Sequence, residues 1–394
     1  MTMPGQRACS VAYLVALQFL YSWAWSSSDV LRPLFRVLYD LSLAEAGAAY
    51  SAQVVGALGG GLLYGRVQHA LGRRATLALI GLGCGASLAA GSLVDGLVTL
   101  ILQRAVMGLF MGAVFPATIG VVVDLFPSGQ RGRLASLIDA TYFAAVIALG
   151  WAAAAWVEVD WRLLFWPVGL ALATIGVGAL LLPLPNHAED RPTEAPRVRD
   201  LFRPGLRRRT LALTAMISAN ACGHQAFVGW LTVYLVEVDG VSPGAVAATL
   251  SAQYAGSVIG SFAWGVVIDR LGRRTGAVGL ASAGLFIPLF LLLPDPLWAR
   301  QIAIFGYGFS FAAVVTLGPW LAELYPAAMR APATSIFQWG RCVSLIAPPL
   351  TGFVAATTGL PTVMGFAVIC FLASGAIWRL LPETHASRST ATGT

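Results

Sequence analysis

Lysine is absent from this 394-residue chain, and charge of either sign is scarce, with arginine, aspartate and glutamate together at 11%. A soluble globular protein of this length needs far more polar surface. The five cysteines (Cys9, Cys84, Cys222, Cys342, Cys370) lie in or at the ends of apolar runs with neither pairing nor metal-ligand spacing. That argues against a disulfide framework and for small packing residues. No metal-ligand cluster, nucleophile with an adjacent base, phosphate-cradling loop or appended soluble domain is visible, so no enzyme activity, metal or cofactor is expected. Long polar stretches are missing too, with one exception at residues 184–208.

What fills the chain instead is hydrocarbon: 57% of residues are hydrophobic and the mean hydropathy is +0.75. A spanning helix needs about 20 apolar residues. Such runs recur at roughly 9–37, 43–67, 74–92, 97–125, 132–157, 161–183, 209–237, 243–267, 275–293, 297–324, 331–357 and 359–381, with edges good to a few residues. They predict an all-α membrane protein with twelve transmembrane helices. The stretch from Arg7 is read as the first helix and not a signal peptide, because no small-residue cleavage site follows it.

The arginines are unevenly placed. Arg7, Arg66, Arg73, Arg74, Arg131, Arg133, the seven from Arg191 to Arg209, Arg270, Arg273, Arg274, Arg330, Arg379 and Arg388 fall on one side; Arg32, Arg36, Arg162 and Arg300 fall on the other. The positive-inside rule then puts both termini in the cytoplasm; the expected location is a bacterial inner membrane. The net charge of +7 needs no nucleic acid, since a basic face beside anionic membrane lipid accounts for it.

An internal repeat is plain when residues 51–74 (SAQVVGALGGGLLYGRVQHALGRR) are laid over 251–274 (SAQYAGSVIGSFAWGVVIDRLGRR), with 11 of 24 positions identical and no gap. Asp124, Pro127 and Arg131 are echoed by Glu323, Pro326 and Arg330. Duplicated halves are the usual build of secondary transporters, with the solute site near the midplane. The expected organisation is two pseudo-symmetric six-helix bundles, 1–183 and 209–394, joined by a flexible cytoplasmic linker at 184–208. Each chain holds a whole pathway, so a monomer suffices.

The loop GVVIDRLGRR, Gly265 to Arg274, fits the signature carried between helices 2 and 3, and often 8 and 9, by the major facilitator superfamily. The chain resembles that family over nearly its whole length. In this motif Gly265 allows close helix approach, Asp269 accepts from a helix N-terminus or an arginine, and Arg273 and its neighbour meet lipid phosphate and helix C-termini. The resemblance implies a latch, including Gly272, on the cytoplasmic side of the outward-open state. The first copy runs from Gly65 through Gly72 and Arg73 but has His69 where aspartate is expected. It is either a weaker latch under relaxed constraint or a proton sensor. RAVMGLFMGA from Arg104 resembles the family's helix 4 motif; Gly318 to Arg341, LPET at Leu381 to Thr384 and WLTVYL in helix 7 resemble the branch of sialate, aromatic acid and other organic acid:proton symporters.

Charge inside a bilayer is costly and marks function. Counting about 1.5 Å per residue puts Asp29 on helix 1 level with Arg104 on helix 4. They are expected to form a protonation-dependent ion pair, a static helix-holding pair being the alternative. Arg341, about ten residues into helix 11 at about 1.5 Å each, is expected at the midplane to hold a carboxylate through two hydrogen bonds, or else to pair with Asp139. Asp139 is counted with the proton-coupling residues. His224, flanked by Asn220 and Gln225, is a proton relay, a solute contact or a packing group. Gln338 and Trp230, with Trp23, Trp25, Trp151, Trp320 and Trp339, are further cavity candidates. Asp124, Arg131, Glu323 and Arg330 read as cytoplasmic gates. The whole points to uptake of a small organic anion with a proton. The alternative is a proton-driven exporter of lipophilic compounds, against which the helix 5 segment ATYFAAVIALGWAAAAW (Ala140 to Trp156) argues, since it lacks the glycine-rich stretch ending in Gly-Pro.

Overall fold

The computed structural model describes residues 4–125, 128–182, 198–293, 296–326, 329, 333, 336 and 340–384, with side chains at all of these but 4–7, 119–120, 123–125, 128–133, 135–136, 139, 198, 318–319, 322, 341 and 344. Every regular element among the described residues is a helix. The first predicted span is two helices, α1 (Pro4–Val30) and α2 (Arg32–Tyr39). Pro33 in the first turn of α2 supplies no N–H and disfavours helix before it, so the chain bends at Leu31. Asp40, with φ 50°, ends α2.

Helix α3 (Leu43–Leu71) opens on a capping box: Ser42 Oγ accepts from the Glu45 amide, and the Glu45 carboxylate accepts from the Ser42 amide at 2.9 Å. It ends at Gly72, whose φ of 77° lets α4 (Arg73–Ala90) start at once in a new direction. Then come α5 (Leu97–Met111), α6 (Val114–Leu125), the unbroken α7 (Ser128–Asp160) and α8 (Trp166–Gly178). The second half follows with α9 (Arg207–Val233), which runs into a π-turn at Tyr234–Val238, and α10 (Pro243–Leu271). After these lie α11 (Gly276–Leu292), α12 (Leu297–Phe311), α13 (Leu317–Leu324), α14 (Ala347–Thr358) and α15 (Leu360–Leu380).

The repeat seen in sequence is a repeat in structure. Helices α3 and α10 are both 29 residues long, and α5 and α12 both 15. The predicted helices 4 and 10 are each interrupted, after Met111 in the first and by a 3-10 turn at Ala312–Thr316 in the second. Glycine sets the packing at matching places. A Cβ on Gly56 or Gly60 would overlap the carbonyls of Ala105 or Leu109 on α5, and one on Gly256 or Gly260 those of Phe305 or Phe309 on α12. These backbones touch because no side chain stands between them.

Packing gathers the chain into two compact units. Unit 1 holds Met1–Asp190, Val228–Tyr254 and Ser344–Val363; unit 2 holds Arg191–Phe227, Ala255–Val343 and Met364–Thr394. In unit 1, α14 lies on α3 closely enough that a Cβ on Gly47 would stand 2.6 Å from the Pro348 carbonyl carbon. In unit 2, Trp320 stacks on Trp378 at 5.2 Å.

The end of the predicted linker is ordered. Residues Val198–Phe202 form a 3-10 turn, Leu201 is fully buried and its carbonyl accepts from Thr210, and Asp200 pairs with Arg203 at 2.9 Å. A flexible reading of 198–208 is therefore corrected. Of its described apolar side chains Leu201 is the one that reaches a core, and that anchors the turn.

Candidate functional site

The C-terminal turn of α1 reads Ser26-Ser27-Ser28-Asp29. Successive helical residues are turned by about 100°, so the four side chains reach different partners. Ser26 Oγ lies 3.4 Å from Tyr142 Oη on α7, Ser27 Oγ accepts from Arg104 Nη1 on α5 at 2.7 Å, and Ser28 Oγ donates to Gln53 Oε1 on α3 at 2.5 Å. Asp29 accepts from Arg32 Nη2 at 2.5 Å. Arg32 is fully buried, donates through Nη1 to the Gly229 carbonyl on α9, and lies 4.6 Å from the centre of the Trp230 ring. Arg104 is also fully buried, with its guanidinium 5.5 Å from the Phe35 ring. Its Nε and Nη2, and Nε of Arg32, have no hydrogen-bond partner among the described residues.

This cluster is tied to second-half helices within unit 1. Thr232 Oγ1 donates to the Asp29 carbonyl at 2.6 Å, Trp230 Nε1 donates to Thr351 Oγ1 on α14 at 2.9 Å, and Ser51 Oγ donates to the Leu345 carbonyl. Arg36 on α2 pairs with Glu237 in the π-turn, and its Nε donates to the Leu41 carbonyl. Together these contacts fasten the C-terminal end of α1, and α2 after it, to the end of α9.

A second group lies in unit 2. His224 Nδ1 is 3.2 Å from Tyr307 Oη, and the His224 ring stacks on Phe311 at 4.6 Å. Tyr307 is fully buried and meets Phe227, Phe311 and Phe371. Asn220 and Gln225 are buried nearby on α9. Where α10 ends, Arg273 bridges two acids, Asp269 at 2.9 Å and Glu323 at 2.6 Å. Thr384 Oγ1 donates to Glu323, and the Glu383 carboxylate accepts the amides of Arg273 and Arg274 at 2.8 and 2.9 Å. Gly272, with φ 99°, makes the turn between them.

Several expectations change. Asp29 pairs not with Arg104 but with Arg32, three residues on and across the bend at Leu31, while Arg104 donates to Ser27. Trp230, a cavity candidate by sequence, is fully buried here, with its N–H satisfied by Thr351 and the Arg32 guanidinium over its ring. Trp23 and Trp320 are likewise core. Gly265 faces open space, since a Cβ there would meet nothing within 4 Å, and close approach is carried by Gly256 and Gly260. Gly65 lies near the end of α3, His69 in its last turn is exposed, and Arg73 at the start of α4 is buried. The side chains of Asp124, Arg131, Asp139 and Arg341, and all of Arg330, Gln338 and Trp339, lie outside the described residues.

Arg32, Gln53 and the serine triplet are the residues that sequence reasoning missed. Three adjacent hydroxyls before an acid inside an apolar run were the available signal, and Gln53 is repeated as Gln253.

A family model described as Major Facilitator Superfamily matches residues 14–344 and 239–394. Similar curated proteins include a cis,cis-muconate transport protein of Acinetobacter baylyi, 24% identical over 84% of this chain and 83% of its own. A 3-(3-hydroxy-phenyl)propionate transporter of Escherichia coli is 29% identical over 64% of this chain and 63% of its own. Among solved structures, a bacterial homologue of the human lysosomal transporter Spinster superposes with a TM-score of 0.76 at 16% identity, covering 96% of this chain and 97% of its own. A nucleoside transporter does so with 0.78 at 15%, covering 94% and 99%.

Proposed function

The chain belongs to the major facilitator superfamily, integral membrane transporters of twelve helices, and from that footing we propose that it carries a small organic anion together with a proton by alternating access. The observation that carries this reading is the charge balance of the buried cluster. Among the described side chains of unit 1, two fully buried guanidinium groups, Arg32 and Arg104, stand against one carboxylate, Asp29. A buried excess of cation favours an anionic solute and disfavours a lipophilic cation. The similar proteins named for muconate and hydroxyphenylpropionate transport point to the same chemistry.

Asp29 is the proton carrier in this reading. Protonation would remove the charge that Arg32 and Arg104 sense, and would loosen the hold of Arg32 on the end of α9. Arg341 binds the solute carboxylate, with His224, Gln225, Gln338 and Trp230 beside the path in the states that expose them. Asp139 assists proton transfer. Both termini lie in the cytoplasm of a bacterial cell, by the arginine distribution, and the linker joins two functional halves. The α1–α9 and α2–α9 contacts are then a periplasmic gate. Arg273 with Asp269 and Glu323, and in the first half Gly65, His69, Gly72, Arg73, Asp124 and Arg131, with Gly265, Gly272 and Arg330 in the second, form the cytoplasmic gate.

The test is uptake of labelled carboxylates into proteoliposomes under an inward proton gradient, with Arg341→Gln and Asp29→Asn alongside. Gradient-driven accumulation of one acid, at least tenfold reduced by either change, is expected. Exchange of a lipophilic cation for protons with no carboxylate uptake would replace this reading with an exporter.

A further inference from the structure

Cys222 on α9 and Cys370 on α15 stand far apart in sequence, yet both belong to unit 2 and their thiols are hydrogen-bonded to each other. Two features bring them together. Gly223, next to Cys222, has no side chain, and a Cβ there would stand 2.9 Å from the Cys370 Cβ and 3.3 Å from the Ala367 carbonyl oxygen. One turn further along α15, Ser374 Oγ donates to the Met216 carbonyl of α9 at 2.9 Å. The two helices are thus held together on both sides of Cys222.

The pair is open toward apolar surroundings. At about 100° per residue, Cys222 falls on the face of α9 that carries Leu211 and Ala215, both exposed, and is itself half-buried. Cys370 is buried, but Phe366 and Ile369 beside it on α15 are 47% and 63% exposed. Leu360–Leu380 is long and apolar enough to cross a membrane, so the medium against that face is hydrocarbon. A reagent that arrives there dissolves in lipid, and strongly hydrated oxidants are disfavoured.

A single thiol in apolar surroundings is inert. Two in contact differ, because the second completes a reaction that the first begins, as in a redox-sensitive cysteine with its resolving partner. We propose that Cys222 and Cys370 form an oxidation site at which an organic hydroperoxide dissolved in the bilayer closes a disulfide between α9 and α15. Cys222 Sγ, the more open of the two, attacks the terminal oxygen of the hydroperoxide. The O–O bond breaks, the thiol proton goes to the departing alkoxide to give an alcohol, and Cys222 is left as a sulfenic acid. Cys370 Sγ then attacks that sulfur, and the hydroxyl leaves with the Cys370 proton as water. The two thiols have given up two electrons to the peroxide, and the sulfurs have closed from hydrogen-bond contact to about 2 Å. The bond clamps α9 just before Phe227, after which the helix passes from unit 2 to unit 1. Phe371, next to Cys370, also meets Tyr307 and Phe311 of the His224 group. Transport therefore slows until a reductant reopens the bond, a consequence that rests on the α9 gate proposed above.

The experiment uses the full chain with Cys9, Cys84 and Cys342 changed to serine, in liposomes treated with cumene hydroperoxide, and counts thiols after denaturation by the mass added with N-ethylmaleimide. Two adducts before treatment and none after are expected, with the monomer lighter by two hydrogens and both adducts restored by dithiothreitol. Adding Cys222→Ser or Cys370→Ser abolishes the lighter product. Hydrogen peroxide at equal concentration is expected to act about tenfold more slowly. The same treatment of the native chain, with the linked cysteines mapped by fragmentation, keeps the test if a serine variant fails to fold. Uptake of the carboxylate found in the transport test is expected to fall severalfold on oxidation and to recover with dithiothreitol. Thiols that persist, or that vanish without a reversible internal link, overturn the site, and so does faster reaction with hydrogen peroxide. Full uptake by the linked protein overturns the control of transport. Absence of any carboxylate uptake counts against the proposed function alone, because the thiol count needs no solute.

Discussion

A guanidinium withdrawn from water is stable only while its hydrogens and its charge are claimed. Arg32 meets most of that demand with Asp29, the Gly229 carbonyl and the Trp230 face. Removing the acid leaves the cation buried and uncompensated, which costs about 3–5 kcal/mol in comparable pairs. Asp29→Asn is therefore expected to loosen the α1–α9 contact. A reporter cysteine at Val233, fully buried at the end of α9 next to Thr232, with native cysteines changed to serine, should react with a membrane-impermeant maleimide at least tenfold faster; an unchanged rate would show that packing alone holds the contact. At this scale the sequence exposed Asp29 and Arg104 but not their partners. The predicted span 9–37 takes in Arg32, and the arginine distribution sets it only on the far face of the membrane. It cannot show that the bend before Pro33 turns the side chain inward. Ser27 is too ordinary a helix residue to be singled out as the acceptor for Arg104.

Helices in hydrocarbon gain nothing from burying leucine against leucine, so close backbone contact decides how they associate. The paired glycines of α3 and α10 serve that end, and the repeat made them readable before any coordinates. Which glycines matter was less readable, because the motif draws attention to Gly265 while the contacts belong to Gly56, Gly60, Gly256 and Gly260. Gly60→Leu would drive a side chain into the Leu109 carbonyl, and overpacking of this kind costs about 1–3 kcal/mol or more. A clear fall in the thermal unfolding midpoint in detergent is expected. Gly265→Ala should hold or raise the midpoint, since the new methyl meets open space and alanine favours a helix by about 0.5–1 kcal/mol. The breaks in predicted helices 4 and 10 escaped the sequence for a physical reason. Gly112 and Ala113, like Ala312 and Ala313, are small residues in an apolar run, and hydropathy registers no interruption there.

Across the molecule, connectivity and packing divide the chain differently. The repeat separates it at the linker, whereas unit 1 takes in Val228–Tyr254 and Ser344–Val363 from beyond that point. Composition and repetition reveal halves; only contacts reveal which helix ends are fastened together at a given moment. If those fastenings open in every cycle, locking one must stop transport. Arg36→Cys with Glu237→Cys, joined by a flexible bis-maleimide in a background without native cysteines, is expected to abolish uptake, while each single cysteine treated in the same way retains it. Full uptake after linkage would place the moving gate elsewhere. The grip of Arg32 falls on a main-chain carbonyl, that of Gly229, and Thr232 returns the gesture on the carbonyl of Asp29. Every residue type offers that oxygen. The clasp consequently draws both of its acceptors from the main chain, and side chains elsewhere can diversify without removing either bond.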